Sequence, residues 1–197
     1  MGNSIEKEGF NLEQEFREAG LGEIDPYVFE NQFEKEVYMS INLIRSNPKR
    51  FIKHFEHVKD FKEYKGKKGK QLIKQLATME SLPPLAIDQN AIEACRQSNV
   101  EITSSKREIK GGNIEKMRTI VLANFKSYEG QDFTVTSWRG SPHELVIYNM
   151  LQDFEINGKS TILDFKTFKV GLSFYGHREK ENVCQILYVF QLSNQIF

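Results

Sequence analysis

Only two cysteines, Cys95 and Cys184, occur in the 197 residues, so the chain has no disulfide framework of the kind that staples small secreted domains. No eighteen apolar residues run together, which excludes a membrane-spanning helix on hydropathy. The first thirty residues, MGNSIEKEGFNLEQEFREAGLGEIDPYVFE, are charged throughout and lack the apolar core of a signal peptide, so a cytoplasmic, intracellular setting is expected. A charge of one sign is lacking too. Lys plus Arg (27) cancels Asp plus Glu (27), so no global field draws the chain to nucleic acid or to an anionic membrane, and any such attraction must come from a local patch. No internal repeat and no low-complexity tract is present. Gly66 and Gly69 follow no strand, so they do not form a phosphate-binding loop, and no ATP or dinucleotide site is expected.

What is present is a folding composition: 39% apolar and 27% charged residues, with fifteen Phe and seven Tyr. Residues 1–30 carry weak periodicity and the turn-forming Gly20, Gly22 and Pro26, and read as an N-terminal extension before a single domain over 31–197. Phe33, Val37, Ile41 and Ile44 recur at helical spacing up to Asn47-Pro48, where a cap and a first-turn proline start a second helix bearing Phe51, Ile52 and Phe55. DFKEYKGKKGK then reads as a basic, glycine-broken connection, followed by a helix through Leu72, Ile73, Leu76 and Met79. Asp88 is placed to cap a helix through Ala91, Ile92, Cys95 and Asn99. Between Glu101 and Gly140 the pattern is poor, with Ile120-Val121-Leu122 suited to a buried strand. Ser141-Pro142-His143-Glu144 is a capping box ahead of a helix that presents Leu145, Val146, Met150 and Leu151 on one face. A period of two follows: Val170, Leu172 and Phe174 alternate with Gly171, Ser173 and Tyr175, and Val183 to Gln191 pairs with them as a late antiparallel hairpin. Helices first and strands late indicate an α+β domain.

Three stretches in order carry a resemblance: INLIRSNPKRFI from Ile41, ESLPPLAIDQNAIEACRQSN from Glu80, and SPHELVIYNMLQDFEINGKSTILDFKTFKVGLSFYGH from Ser141, followed by NVCQILYVF. Together they resemble the CAP superfamily, also called the SCP domain (cysteine-rich secretory proteins, antigen 5 and pathogenesis-related 1), in its bacterial and protist branch without disulfides. The resemblance implies a three-layer α-β-α sandwich. It also implies a cleft lined by two His and two Glu that can bind a divalent metal. Here Gly158 and Lys159 stand where the family's last histidine falls, a surviving carboxylate would lie near Glu129-Gly130-Gln131-Asp132, and Glu101 to Gly112 offers no first histidine. The tetrad is degenerate, so no metal, no cofactor and no catalytic residue is expected from it.

His54 and His57, three apart on a charged helix, have a spacing that can chelate a metal, but no cysteine or third histidine is near in sequence, so they read as a solvated face. His143, in the first turn of a capped helix, reads as a neutral surface histidine, and His177 as a loop histidine. Cys184 reads as a core thiol. Ser98, Ser104 and Ser141 show no spacing to a base. The lysines Lys62, Lys65, Lys67, Lys68 and Lys70 form a basic loop suited to acidic protein partners; with only Phe61 and Tyr64 interleaved it is a poor nucleic-acid module. Gly2-Asn3-Ser4 resembles an N-myristoylation start, though Glu6 stands where the motif asks for Ser or Thr. The expectation is a non-enzymatic interaction component of a larger intracellular assembly, cytoskeletal or ciliary. A lipid or sterol carrier is the alternative, followed by a residual metal-dependent hydrolase.

Overall fold

The computed structural model describes residues 11–104, 111–125, 129–176 and 182–191. Its helical elements are α1 (Leu12–Glu18), α2 (Gln32–Ser46), α3 (Pro48–Phe51), a 3-10 segment (Ile52–Val58), α4 (Lys62–Lys65), α5 (Lys67–Thr78), α6 (Gln89–Ser104), α7 (Gly111–Asn124), α8 (Pro142–Asn157) and a short 3-10 turn (Thr161–Leu163). The strands are β1 (Ala86–Ile87), β2 (Gly130–Ser137), β3 (Thr167–Tyr175) and β4 (Val183–Phe190). The chain visits two units in alternation: Met1–Pro84 with Gly140–Ile162, and Leu85–Arg139 with Leu163–Phe197. The architecture is α+β with a mixed four-stranded sheet, the class that the sequence indicates.

The first unit is helical. Val37, Ile41 and Ile44 of α2 are fully buried, as their spacing requires, and Met39 and Leu43 widen the buried stripe. Asn47 accepts from the Arg50 amide at 3.1 Å with Pro48 as the first helical residue, so α2 ends and α3 starts at a corner. Arg45 is 1% exposed and donates from Nε to Pro83 O at 2.8 Å and from Nη1 to Ile162 O at 2.7 Å, while the Arg45 carbonyl accepts from Leu82 N. Its guanidinium thereby joins the end of α2 to two distant stretches of chain. Glu144 accepts from the Ser141 amide at 3.1 Å, so the capping box that starts α8 is in place. α8 is buried well beyond the expected face, adding Ile147, Asn149 and Phe154, and it packs against α2, α5 and the 3-10 segment.

Two expectations change in this unit. Within the stretch that reads as an extension, Leu12–Glu18 forms a helix capped by Asn11 and buries Leu12 and Phe16 beside α2. The basic connection DFKEYKGKKGK is helical rather than a loop: α4 and α5 meet at Gly66, and Leu72 and Leu76 anchor α5 in the core. Gly69 makes the tight junction possible, because a Cβ there would lie 2.6 Å from the carbonyl oxygens of Glu63 and Tyr64. A local reading sees helix breakers where the fold needs close approach.

The second unit holds the sheet, in the order β1-β3-β4-β2. β1 runs parallel to β3, while β3–β4 and β2–β4 are antiparallel, with Leu172 opposite Ile186 and Thr134 also opposite Ile186. The expected β3–β4 pairing is formed. The alternation expected along β3 is absent, because Val170, Gly171, Leu172 and Ser173 are all buried, as befits an inner strand. Asp88 caps α6 through the Ala91 amide at 3.1 Å, and Ala91, Ile92, Cys95 and Asn99 are buried as their spacing requires. α6 lies so close to β3 that a Cβ on Gly171 would come within 2.4 Å of Ala91 Cβ. Ile120, Val121 and Leu122 belong to α7 rather than to a strand: Val121 alone of the three is fully buried, and Leu122 points outward. A short apolar run does not outweigh a helix that needs only one apolar contact line.

Candidate functional site

The 3-10 geometry of Ile52–Val58 has three residues per turn, so His54 and His57 stack on one side of it, with ring centroids 5.8 Å apart. The start of α8 brings in a third imidazole. His143 sits one residue into that helix; its ring centroid is 5.1 Å from that of His57 and 6.1 Å from that of His54. His57 Nδ1 and His143 Nε2 are 2.8 Å apart, a hydrogen bond in which one ring must donate and the other accept. Ser141 Oγ lies 3.5 Å from the same His143 nitrogen. His57, His143 and Glu144 each offer a ligand atom, and these atoms all lie within 4.8 Å of one another.

Helix α1 closes one side of the cluster. Glu15, 8% exposed, accepts from Lys53 Nζ and from His54 Nε2, the latter at 3.3 Å. That bond places the His54 proton on Nε2. Burial opposes ionisation of Glu15, yet the hydrogen bonds from Lys53 and His54 outweigh it and hold its carboxyl below the ordinary range. Burial pushes His54 below the usual histidine range, against the pull of Glu15. His143 is pushed down to about 3, first by burial and then by the proximity of His57 and His54. A base whose conjugate acid is that strong takes up a proton poorly at neutral pH.

The solvated-face reading is therefore corrected for His54, which is 3% exposed, and His143 is half-buried rather than on the surface. Proximity in sequence misses the cluster, since His57 and His143 are 86 residues apart. The detectable signals are the His54/His57 spacing and a histidine beside a glutamate in a capped first turn.

Of the basic residues, Lys62, Lys65, Lys67 and Lys70 are exposed on α4 and α5 and Lys68 is partly buried. Lys65 faces Asp60 at 3.7 Å, while Lys62, Lys67, Lys68 and Lys70 have no ion pair among the described residues. Glu63 is turned to Gln152, whose Nε2 donates to it at 2.7 Å. The first turn of α5 contains no acidic residue. Positive side chains thus crowd a helix end whose own dipole is positive.

Gly158 takes a left-handed conformation (φ 71°) that ends α8, with Lys159 exposed beside it, and Glu129 is exposed at the start of β2. Cys95 and Cys184 are buried and unlinked. Gly2 and His177 lie outside the described residues. Among the described residues no helix is long and apolar enough to cross a membrane. No protein-family model, curated protein or solved structure matches the chain.

Proposed function

We propose that the chain is a non-catalytic protein of the CAP type, with that family's three-layer α-β-α sandwich, serving as an interaction component of a larger intracellular assembly. The observation that carries the reading is the lysine surface of α4 and α5. Residues 59–74 hold seven lysines against Asp60 and Glu63, in a chain whose total charge is zero. Such a concentration, next to a positive helix end and with few internal counter-charges, is relieved by an acidic partner segment. An acidic protein tail, such as those that decorate cytoskeletal or ciliary tubulin, has the complementary charge. The degenerate tetrad around Gly158 and Lys159 supports a role without the family's own chemistry.

The test is fluorescence anisotropy of a glutamate-rich tail peptide titrated with the full chain at low and moderate salt. Binding is expected to weaken with salt and to fall at least about tenfold when Lys62, Lys65, Lys67 and Lys70 are changed to Glu. Equal binding by the charge-reversed chain, or no binding at low salt, would sink the reading.

A further inference from the structure

We infer that His57, His143 and Glu144 form a binding site for one divalent transition-metal ion, with zinc the best match. The site differs in position and residues from the tetrad that the family resemblance implies. It stands independently of the interaction reading above.

The donor set is two imidazole nitrogens and a carboxylate, which suits zinc and its late first-row neighbours rather than calcium or magnesium. The atoms are already gathered: three candidate ligand atoms lie within 4.8 Å of one another, on two elements that pack together. His57 Nδ1 and His143 Nε2 point at each other at 2.8 Å. Tetrahedral zinc holds imidazole nitrogens at ~2.0–2.1 Å, which sets two co-ligands about 3.3 Å apart. Spreading the two rings by about half an ångström would replace the shared proton with a metal ion. Glu144 Oε2 accepts from the Ser141 amide, so the cap also orients the carboxylate. His54 supports the site, with Nε2 committed to Glu15 and its ring centroid 5.8 Å from that of His57 and 6.1 Å from that of His143. Three protein ligands leave a coordination position for water or a further ligand. The positive end of α8 opposes a cation and the Glu144 carboxylate offsets it, so the affinity should be moderate, with a dissociation constant of about a micromolar or somewhat below.

The experiment titrates zinc into the untagged, chelator-treated full chain by calorimetry, followed by metal analysis after dialysis. One zinc per chain is expected. His57→Gln and His143→Gln should each weaken binding at least about tenfold while circular dichroism shows the helices retained. Glu144→Gln, which keeps an acceptor for the cap, should weaken it severalfold. Should a histidine variant fail to fold, the unsubstituted chain still decides. Zinc should protect His57 and His143 from diethyl pyrocarbonate, with the modified sites mapped by mass spectrometry. Absence of stoichiometric binding at a hundred-micromolar zinc level, binding unchanged in folded His57→Gln and His143→Gln chains, or protection confined to other histidines would each overturn the assignment.

Discussion

Arg45 sits in a stretch, Ile41 to Ile52, whose sequence shows a helix face followed by a proline corner; nothing in that spacing marks the arginine as a core residue. An arginine near a helix C-terminus ordinarily reads as a solvated charge that complements the dipole. Here its guanidinium donates to Pro83 O and Ile162 O inside the first unit, 38 and 117 residues away, and those long separations are why local reasoning misses it. Arg45→Met keeps most of the side-chain volume but removes every donor, leaving two carbonyls short of a partner. The expected loss is about 3 kcal/mol, taking 1–3 kcal/mol for each buried group left unsatisfied. Urea denaturation checks it. A loss below about 1 kcal/mol would show that the carbonyls find other donors.

At the scale of elements, the capped starts are legible in the sequence because capping chemistry lies within four residues: Asn47 for α3, Asp88 for α6 and Ser141 with Glu144 for α8. The docking of α1, the 3-10 segment and the first turn of α8 is not legible, because it is written in Glu15, His54, His57 and His143 jointly. That docking carries a pH dependence. His54 and His143 both have folded pKa values below the ordinary 6.5. The unfolded chain therefore takes up protons near that pH while the folded chain does not, and stability falls as pH drops below about 6.5. The slope is about 1.4 kcal/mol per pH unit for each histidine held neutral, continuing for His143 toward its folded value of about 3. Glu13 and Glu15 are shifted in the same direction but in a lower window: with folded pKa values below 4.5, they add stability that is lost only as pH falls below that range. Between pH 6.5 and 4.5 the slope belongs mainly to histidine. Urea denaturation across that interval should show stability declining in the metal-free chain, with a shallower decline in His143→Gln. A flat profile would mean that the imidazoles are solvated enough to protonate in place.

For the whole molecule, the α+β class and the β3–β4 pairing are legible because apolar spacing and chain order carry them, whereas the sheet order β1-β3-β4-β2 is not. β1 is only Ala86–Ile87, too short to show a period, and joins β3 across more than eighty residues. α7 is hidden for the reverse reason, since its apolar residues do not mark a face and Val121 alone among Ile120, Val121 and Leu122 is fully buried. The two cysteines that exclude a disulfide framework also report on how tightly the second unit is closed. Cys95 on α6 and Cys184 on β4 are 0% and 1% exposed, and Cys95 Sγ lies 4.0 Å from Gly171 O. A thiol reagent such as Ellman's should find neither thiol in the native chain and both in denaturant, so the native labelling rate reports opening of this unit. Gly171→Ala forces a methyl to within 2.4 Å of Ala91 Cβ and must push α6 off β3. It should cost about 1–3 kcal/mol as an overpacking substitution and speed labelling of Cys95 in proportion, roughly tenfold for each 1.4 kcal/mol. If Gly171→Ala destabilises the chain but leaves Cys95 as slow as before, opening does not pass through the α6–β3 contact and the thiol is guarded by another part of the unit.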